Sequence, residues 1–330
     1  MNLEPEILFK TLTALSDRPR VWVAYSGGLD SHVLLHLMHR ALANNPVYQL
    51  TAIHIHHGIS AQADDWVKHC QAVCTALDCP LTVLYVEGRV IGDQSPEEAA
   101  RKARFTAFQN LLGAEDCLCL AHHASDQAET ILWRLLRGSG PQGLGGMSQK
   151  MHRGVLEIVR PLLHVSKTAI LEYARSQDFI WIEDPSNQDP RFDRNFLRQN
   201  MMPLLEDRWP KMVRSINRSG ALCKETADAV EALAKKDLSQ LQDKAIDQSL
   251  SVPGLLALDR LLRQTVIRLW LAEQGLQAPS YDHMQRIDRE VLGAKGGAKP
   301  SLKIGHYTLR RVGNQLSVGA GLSAGPVPPP

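Results

Sequence analysis

A glycine-rich turn near the N-terminus has the residue types of a phosphate-binding loop. It reads Ser26-Gly27-Gly28-Leu29-Asp30-Ser31 and lies between an apolar run at residues 21–25 and a stretch with the apolar spacing of a helix. Glycine lets backbone N–H groups approach a phosphate, and the start of a helix favours an anion. Ser26 and Ser31 add hydroxyl donors. A carboxylate does not bind phosphate directly, so Asp30 is predicted to hold Mg²⁺ or a bound water.

The loop lacks the lysine of a P-loop, because no G-x-x-x-x-G-K-[ST] pattern occurs in the sequence. That lysine reaches the β- and γ-phosphates of a nucleotide and serves transfer of the γ-phosphoryl group. Its absence predicts attack at the α-phosphate, with pyrophosphate as the leaving group. A plain glycine turn between a strand and a helix is the alternative, and the Asp-Ser pair at the start of the helix argues against it.

Histidines follow a second strand-like run. Residues 54–60 read HIHHGIS, so that His57 and Gly58 come directly after the run. In a parallel sheet this segment would lie at the same edge as the glycine turn. Packing or capping is one interpretation of His57, and contact with a nucleotide or substrate is the other.

A third polar segment, residues 121–130, reads AHHASDQAET and carries the largest set of ionisable groups. His123 precedes a helical pattern, and the spacing of Asp126, Glu129 and Thr130 puts them on one face of its first turns. A histidine and two carboxylates beside a bound nucleotide suit metal binding and proton transfer. Capping of the helix by its acidic residues is the simpler alternative.

The first half of the sequence alternates strands and helices, which predicts a doubly wound, mostly parallel α/β sheet. Ligands of such sheets bind beyond the carboxyl ends of the strands, where the three polar segments fall. Strands are predicted at 21–25, 50–55, 81–86, 117–121 and 155–159, and helices at 31–43, 64–77, 96–112 (capped by Ser95) and 126–137.

The sequence also predicts how the chain divides into domains. Residues 1–215 are expected to form the catalytic domain, 216–250 a helical linker, and 251–318 a small, mainly helical domain with a hairpin around Gly305 and Gly313. The Pro-rich stretch 319–330 is predicted to be a disordered tail.

The bulk composition is that of a globular protein, with 330 residues, 44% hydrophobic residues, 22% charged residues and a net charge of +2. No apolar run is long enough to span a bilayer, and the first residues lack the apolar core of a signal peptide. The six cysteines are too sparse for a disulfide scaffold and are interpreted as buried thiols. The cytoplasm is therefore the expected compartment.

Two stretches carry a local excess of basic residues. Residues 191–218 contain seven lysines and arginines against three acidic residues, and residues 291–318 contain five, including Lys295, against none. Solvated surface is the ordinary interpretation, and contact with the phosphate backbone of an RNA is the alternative. A run with five glycines between 138 and 146 is similar to a mobile loop that closes over a large substrate.

A family resemblance rests on several of these segments together. The turn SGGLDS matches the PP-motif of the N-type ATP pyrophosphatases, which adenylate a carbonyl and release pyrophosphate. A wider set closely resembles the tRNA(Ile)-lysidine synthetase family over roughly residues 20–215, and residues 258–318 are similar to its first C-terminal domain. The wider set is HIHHGIS with Ala63-Asp64 and Trp66, EEAARKARF, AHHASDQAET, RGSGPQGLGGM, RPLL, WIEDPSNQD and RFDRNFLR.

The resemblance implies a fold of the adenine nucleotide alpha hydrolase type and a two-step reaction. ATP adenylates the C2 carbonyl oxygen of the wobble cytidine in the CAU anticodon of an isoleucine tRNA, and free L-lysine then displaces AMP to give lysidine. ATP and Mg²⁺ are the implied cofactors, no membrane is involved, and a homodimer is left open.

The resemblance also implies roles for individual residues. Catalysis is assigned to Asp30, His123, Asp126 and Glu129, with Asp126 or Glu129 as the base that takes the proton of the amine. Mg²⁺ is assigned to Asp30 and Asp126. The nucleotide is assigned to the glycine loop with His57 and Arg101, and RNA contact to Arg137, Arg194, Asn195, Arg198, Arg310 and Arg311.

The sequence departs from the family at one catalytic position and in length. Ser125-Asp126 stands where the family commonly has paired aspartates, which puts a role for position 125 in doubt. Longer members carry a second C-terminal domain, so discrimination of the acceptor stem is expected to rest on fewer contacts here.

Three other functions are alternatives. A related tRNA thiolase would use cysteine pairs or an iron–sulfur cluster, and the sequence has no C-x-x-C. A small-molecule amidotransferase would need a glutaminase segment or an N-terminal cysteine. A tRNA-binding protein that has lost catalysis is a non-enzymatic alternative, against which Asp30, Asp126 and Glu129 are all retained.

Overall fold

The computed structural model describes residues 3–58, 60, 62–86, 96–189, 191–243, 249–294 and 299–320. Contacts divide the chain into two compact units, Met1–Cys223 and Lys224–Pro330. The predictions for Ser95, Lys295 and residues 321–330 lie outside the described residues. No helix among the described residues is long and apolar enough to cross a membrane.

The N-terminal unit contains a six-stranded sheet with helices on its faces. Its strands are β1 Arg20–Ala24, β2 Gln49–His56, β3 Leu81–Tyr85, β4 Asp116–Cys119, β5 Lys150–Arg153 and β6 Leu156–Val159. Its helices are α1 Pro5–Leu15, α2 Leu29–Leu42, α3 Ala63–Ala76, α4 Pro96–Leu111, α5 Ala124–Leu136, α6 Pro141–Leu144, α7 Lys167–Ser176, α8 Asp193–Phe196 and α9 Met202–Arg208. A π-helical stretch, Leu197–Met201, joins α8 to α9, and α10, Met212–Leu241, contains the boundary between the units.

The strand order β3-β2-β1-β4-β6-β5 confirms the doubly wound prediction. Neighbouring pairs are parallel except β5, which runs antiparallel to β6 at the edge. In chain order, β2 and β3 are added on one side of β1, and β4 is then added on the other side. A crevice therefore opens at the carboxyl ends of β1 and β4, which is where sheets of this type bind ligands.

Burial explains why the central strands form where the apolar runs predict them. Val21 and Val23 of β1 are fully buried, and Leu34, Leu37 and Met38 of α2 pack in the same core. The five predicted strands and four predicted helices of the first 160 residues agree with the structure within two residues at each end. Strand β5 was not predicted, because its residues Lys-Met-His-Arg are mostly polar and lie at an edge.

The C-terminal unit has its own core and an antiparallel sheet. Besides the predicted helices it contains five strands in the order β7-β8-β11-β10-β9, more than the single hairpin expected. Gly305 and Gly313 form the two turns with left-handed backbone, at φ values of 56° and 58°. Its elements are β7 Gln242–Asp243, β8 Ser249–Ser251, α11 Val252–Ala257, α12 Arg260–Glu273, α13 Tyr281–Arg286, a π-helical stretch Ile287–Leu292, β9 Ser301–Ile304, β10 Tyr307–Val312 and β11 Gln315–Ala320.

The cysteines are free thiols, and five of the six are buried, as predicted. Burial raises the pKa of both Cys70 and Cys74 to about 12, so neither is a thiolate near neutral pH.

A buried glutamate in β6 is surrounded by cations. Glu157 is 2% exposed and accepts a hydrogen bond from the hydroxyl of Ser16. Its carboxylate lies 2.8 Å from Nζ of Lys150, 3.3 Å from Nε2 of His152 and 3.7 Å from Nε of Arg18. Burial by itself would raise the pKa of Glu157, but the bonds from Lys150 and Ser16 and the charges of Lys150 and Arg18 outweigh it. The pKa therefore lies below its usual value.

We expect Glu157→Gln to lower the free energy of unfolding by about 1–3 kcal/mol at neutral pH, because it leaves the surrounding cations without their buried partner. A folded-state pKa below the unfolded value stabilises the protein above the unfolded pKa, roughly 4.3. That contribution is lost as the pH falls through the lower folded-state pKa. The difference between wild type and variant should therefore shrink on acidification, as measured by denaturant unfolding. Glu172→Gln, an exposed glutamate of α7, is the control, and an equal effect of the two variants would contradict the prediction.

Candidate active site

The glycine loop begins directly after β1 and is fixed by close packing. Gly27 has a φ of 83°, and a Cβ added there would lie 2.4 Å from Cδ1 of Ile182 and 3.1 Å from Sγ of Cys70. The amide of Ile182 donates a 2.9 Å hydrogen bond to the carbonyl of Gly27. The loop therefore needs glycine both for its backbone conformation and for the space beside it.

The two serines of the loop brace it from within. The hydroxyl of Ser31 donates to the carbonyl of Gly28 at 3.0 Å and accepts from the amide of Ser26 at 3.2 Å. The two hydroxyl oxygens lie 3.1 Å apart. Gly28 is the N-cap of α2, which begins at Leu29, so that Asp30 falls in its first turn. The loop thus combines a helix N-terminus with a preformed turn, as anion sites do.

His123 and Asp126 cap α5 reciprocally. Nδ1 of His123 accepts from the amides of Ser125 and Asp126 at 3.2 and 3.5 Å, and Oδ2 of Asp126 accepts from the amide of His123 at 3.0 Å. In the neutral imidazole this places the proton on Nε2. That nitrogen lies 3.7 Å from Oδ1 of Asp30 and 3.5 Å from Oδ2 of Asp126. Capping therefore does occur, and it also orients His123 between the two carboxylates.

Arg198 contacts both carboxylates of α5. Its Nε and Nη2 donate to Glu129 at 2.9 and 2.8 Å, and Nη2 also lies 3.0 Å from Oδ1 of Asp126. Glu129 is 3% exposed. Burial opposes the charge of Arg198, yet the hydrogen bonds and charge of Glu129 raise the pKa of the guanidinium. Burial likewise opposes ionisation of Asp126, and the neighbouring His123 and Arg198 hold the pKa of that carboxyl below its usual value.

A lysine that the sequence analysis did not single out reaches the glycine loop. Lys167 is the first residue of α7, and its Nζ lies 2.6 Å from Oδ1 of Asp30. The carbonyl of Val165, just before this helix, accepts from the amide of Ala124 at 2.9 Å, so α7 and α5 begin side by side. The position of Lys167 in the chain is a signal that could have identified it. It follows β6, which is parallel to β4 and ends at the same edge of the sheet.

The other residues assigned to the nucleotide lie at or near this edge. His57 is half-buried, and its Nδ1 is buried without a hydrogen-bond partner among the described residues. Burial, with Arg104 nearby, lowers the pKa of His57 to about 4, so the ring is neutral near pH 7. The guanidinium of Arg101 lies 5.2 Å from the ring centroid of Phe105 on α4.

The residues assigned to RNA contact are dispersed. Arg194 donates to the hydroxyl of Thr130 at 3.2 Å, and Asn195 donates to the carbonyls of Ser186 and Asp189 at 3.0 and 2.9 Å. Arg137 follows the last residue of α5, about 20 Å along the helix from His123. Its guanidinium lies 4.4 Å from the ring centroid of Trp133.

The two arginines of β10 differ in their surroundings within the C-terminal unit. Arg311 donates to the carbonyls of Leu292, Ala294 and Gly313 at 2.6, 3.3 and 3.0 Å, so its guanidinium ties β10 to the preceding helical segment. Arg310 is exposed. Of the two, Arg310 has the geometry of a residue that can contact a partner.

Comparison with family models identifies both units. A model of the PP-loop domain matches residues 2–205, and a model of the TilS substrate binding domain matches residues 250–317. The U34-tRNA thiolase NcsA from Methanococcus maripaludis, solved with its [4Fe-4S] cluster, shares the fold with a TM-score of 0.56 and 19% identity. That similarity covers 67% of this chain and 78% of the thiolase.

Curated relatives match along most of the chain. The tRNA(Ile)-lysidine synthase of Serratia proteamaculans (strain 568) is 43% identical over 295 residues, covering 89% of this chain and 67% of its own length. Those of Escherichia coli O157:H7 and Coxiella burnetii (strain RSA 493 / Nine Mile phase I) are 41% and 38% identical. They cover 90% and 97% of this chain, which spans 68% and 70% of their lengths.

A glycine loop at the switch point of a doubly wound sheet, in a segment that matches the PP-loop model, makes the N-terminal unit an ATP-using PP-loop domain. The curated relatives carry the assignment further. The chain belongs to the tRNA(Ile)-lysidine synthase family, whose members are ligases that form a carbon–nitrogen bond, and the resemblance found in its motifs is confirmed.

We expect Gly27→Ala to destabilise the protein by about 2–5 kcal/mol, because a left-handed backbone and a steric clash with Ile182 act together. Gly58→Ala is the matched control: its φ is 65°, and among the described residues no atom beyond its chain neighbours lies within 4 Å of the added Cβ. It should cost only about 1–2 kcal/mol for the backbone. Denaturant unfolding of both variants measures the difference, and equal losses would show that Ile182 yields freely.

Proposed function

We propose that this chain uses ATP to adenylate the C2 carbonyl oxygen of the wobble cytidine in a CAU-anticodon isoleucine tRNA, and that free lysine then displaces AMP to give lysidine. One observation carries the proposal: His123 lies between Asp30 of the glycine loop and Asp126 of α5, and Arg198 joins Asp126 to Glu129 in the same cluster. This cluster combines a place for a nucleotide phosphate with a place for an amine, and both reactants are needed in the two steps.

In the first step, the backbone N–H groups of the glycine loop and the N-terminus of α2 bind and orient the phosphates of ATP. Attack by the C2 carbonyl oxygen of the cytidine at the α-phosphate breaks the bond to the β-phosphate, whose electrons leave with pyrophosphate. Nε2 of His123 lies 3.7 Å from Oδ1 of Asp30, so this ring nitrogen faces the same region.

The residues present fit Mg²⁺, which would neutralise charge on the phosphates. Mg²⁺ prefers one or two carboxylates completed by phosphate oxygens and waters. The side chain of Asp30 is 32% exposed and its partner Lys167 is 44% exposed, so a cation can reach that carboxylate. Asp126 is less open, since one oxygen caps α5 and the other contacts Arg198. We therefore propose Asp30 as the principal ligand and Asp126 as the secondary one.

In the second step, the carboxylates of Asp126 and Glu129 receive the incoming lysine. They lie on one face of α5 and already contact a guanidinium, so their geometry suits a cationic nitrogen. An ammonium has no free electron pair, and one of these carboxylates takes its proton before the amine attacks the C2 carbon. The bond from C2 to the adenylate oxygen then breaks, and AMP leaves.

A tRNA-binding protein without catalysis remains the second candidate, since Ser125 replaces a family aspartate. In the structure the amide of Ser125 bonds to His123, and Asp30, Asp126 and Glu129 stay within one cluster without a carboxylate at position 125. This arrangement favours the enzyme.

The compartment and the assembly of the protein are separate proposals. Free buried thiols fit the cytoplasm, where tRNA is modified. A homodimer is a further assembly to be tested.

The function is tested with purified protein, ATP, Mg²⁺, radiolabelled lysine and a CAU-anticodon isoleucine tRNA transcript. We expect lysine to be incorporated by the wild type and by the control Glu172→Gln. Asp30→Ala should release no pyrophosphate while binding tRNA normally, because the nucleotide is no longer activated. Glu129→Gln should release pyrophosphate but transfer lysine at least about tenfold more slowly, because the amine loses a proton acceptor. Binding of tRNA without lysine incorporation by the wild type would favour the second candidate.

We expect Arg310→Gln to weaken tRNA binding and to reduce the slope of log K against log salt by about 0.7–0.9, the value of one phosphate contact. Arg311→Gln should mainly lower the stability of the C-terminal unit, because it removes the bonds to Leu292 and Ala294. Arg175→Gln, an exposed arginine at the end of α7, is the control. Titration at several salt concentrations measures the slopes, and an unchanged slope for Arg310→Gln would assign it to ordinary solvated surface.

A further inference from the structure

Lys167 places a cation beside the glycine loop, whose own sequence contains no basic residue. The loop has no lysine of its own, yet Nζ of Lys167 lies 2.6 Å from the carboxylate of Asp30 within it. The two residues are 137 positions apart, so no local pattern connects them. The fold brings them together, because α2, α5 and α7 all begin at the carboxyl edge of the sheet.

The pairing with Asp30 is poorly explained as a device for stability. The side chains of Lys167 and Asp30 are 44% and 32% exposed, and ion pairs this open to solvent contribute little to folding. A long lysine side chain is also a mobile point charge, with a stem that can carry its ammonium several ångströms. The contact therefore fits a lysine that can leave Asp30 for another partner better than a structural clamp.

Three positive features surround the place where the leaving group would lie. Lys167 is the first residue of α7, whose N-cap is Ser166, and α2 and α5 also present their N-termini here. His123 presents Nε2 to the same oxygen of Asp30 that Lys167 contacts. A polyphosphate on the glycine loop would meet these groups, whereas Asp30 would turn to a divalent cation.

We propose that Lys167 is the residue that contacts the β- and γ-phosphates of ATP and stabilises pyrophosphate as it leaves. In the structure its ammonium pairs with Asp30. On binding of the nucleotide, the attraction of the polyphosphate moves the ammonium from Asp30 onto the phosphates, and Asp30 would then be free to hold a divalent cation. As the bond between the α-phosphate and the bridging oxygen breaks, the electron pair stays on pyrophosphate, and Lys167 neutralises this charge without giving up a proton.

The inference rests on the proposed attack at the α-phosphate, but it is tested without tRNA or lysine. Calorimetric titration in the presence of Mg²⁺ measures the binding of three ligands: α,β-methylene-ATP, pyrophosphate and AMP. The proteins compared are the wild type, Lys167→Ala, Lys167→Gln and Lys167→Arg. We expect the Ala and Gln variants to lose about tenfold to one hundredfold in affinity for the first two ligands, the range of a hydrogen bond to a charged group. Binding of AMP should change less than twofold, and the Arg variant should recover part of the loss.

Further variants distinguish direct contact of Lys167 with the phosphates from an indirect role in which Lys167 only positions Asp30. If Lys167 acts only by holding Asp30, the loss should disappear when Lys167→Ala is made in an Asp30→Asn background. If it contacts the phosphates, the loss should persist there. Lys10→Ala, which removes an exposed lysine of α1, should change none of the three affinities. Thermal unfolding verifies that each variant is folded, and Lys167→Gln keeps most of the stem should the Ala variant fail to fold.

Equal losses for AMP and for α,β-methylene-ATP, or no loss for either, would overturn the inference. So would a loss that vanishes in the Asp30→Asn background. These outcomes are distinct from a failure of the proposed function, which would appear as absent lysine incorporation by the wild type and leaves the binding comparison valid.

Discussion

Three carboxylates share one crevice in the N-terminal unit, and the need of the two most buried ones for a nearby cation organises the site. Glu129 is nearly inaccessible to water, and Asp126 is tied into the cap of α5; burying carboxylates in this way is costly unless a cation pairs with them. Arg198 fills that need for both, whereas Asp30 is more open to solvent and lies beside the partly exposed Lys167. The surrounding fold can be understood from this requirement, since the segment from α8 to α9 carries Arg198 to α5 and β6 delivers Lys167 to the loop after β1.

The sequence predicted those parts of the site that are encoded locally. The glycine loop and the face of α5 with Asp126 and Glu129 each occupy a single turn after a strand, and strand ends of a parallel sheet share an edge. The contact between Lys167 and Asp30 could not be predicted in this way, because it depends on which strand lies beside which. Strand β5 and the additional strands of the C-terminal unit were missed for another reason: they are short, and neither Lys150–Arg153 nor Gln242–Asp243 has an apolar alternation.

The N-terminal fold is shared with a thiolase that carries an iron–sulfur cluster, and the two proteins illustrate how one scaffold supports different chemistry. In this chain the cysteines are mostly packed inside the sheet and its helices, with Cys70 and Cys74 held as neutral thiols. The ionisable groups at the strand ends are instead oxygen and nitrogen groups. The glycine loop after β1 belongs to the PP-loop domain, and we propose that the residues after β4 and β6 determine the chemistry.

The packing of Ile182 against Gly27 limits how this site can change over generations. Two independent obstacles stand at position 27, namely the left-handed backbone and the side chain 2.4 Å from an added Cβ. Shortening Ile182 would remove the second obstacle and leave the first, so no single compensating replacement opens the position to another amino acid. A lineage that carries this loop is therefore confined to glycine there, and variation in its nucleotide chemistry has to come from the segments that surround the cradle.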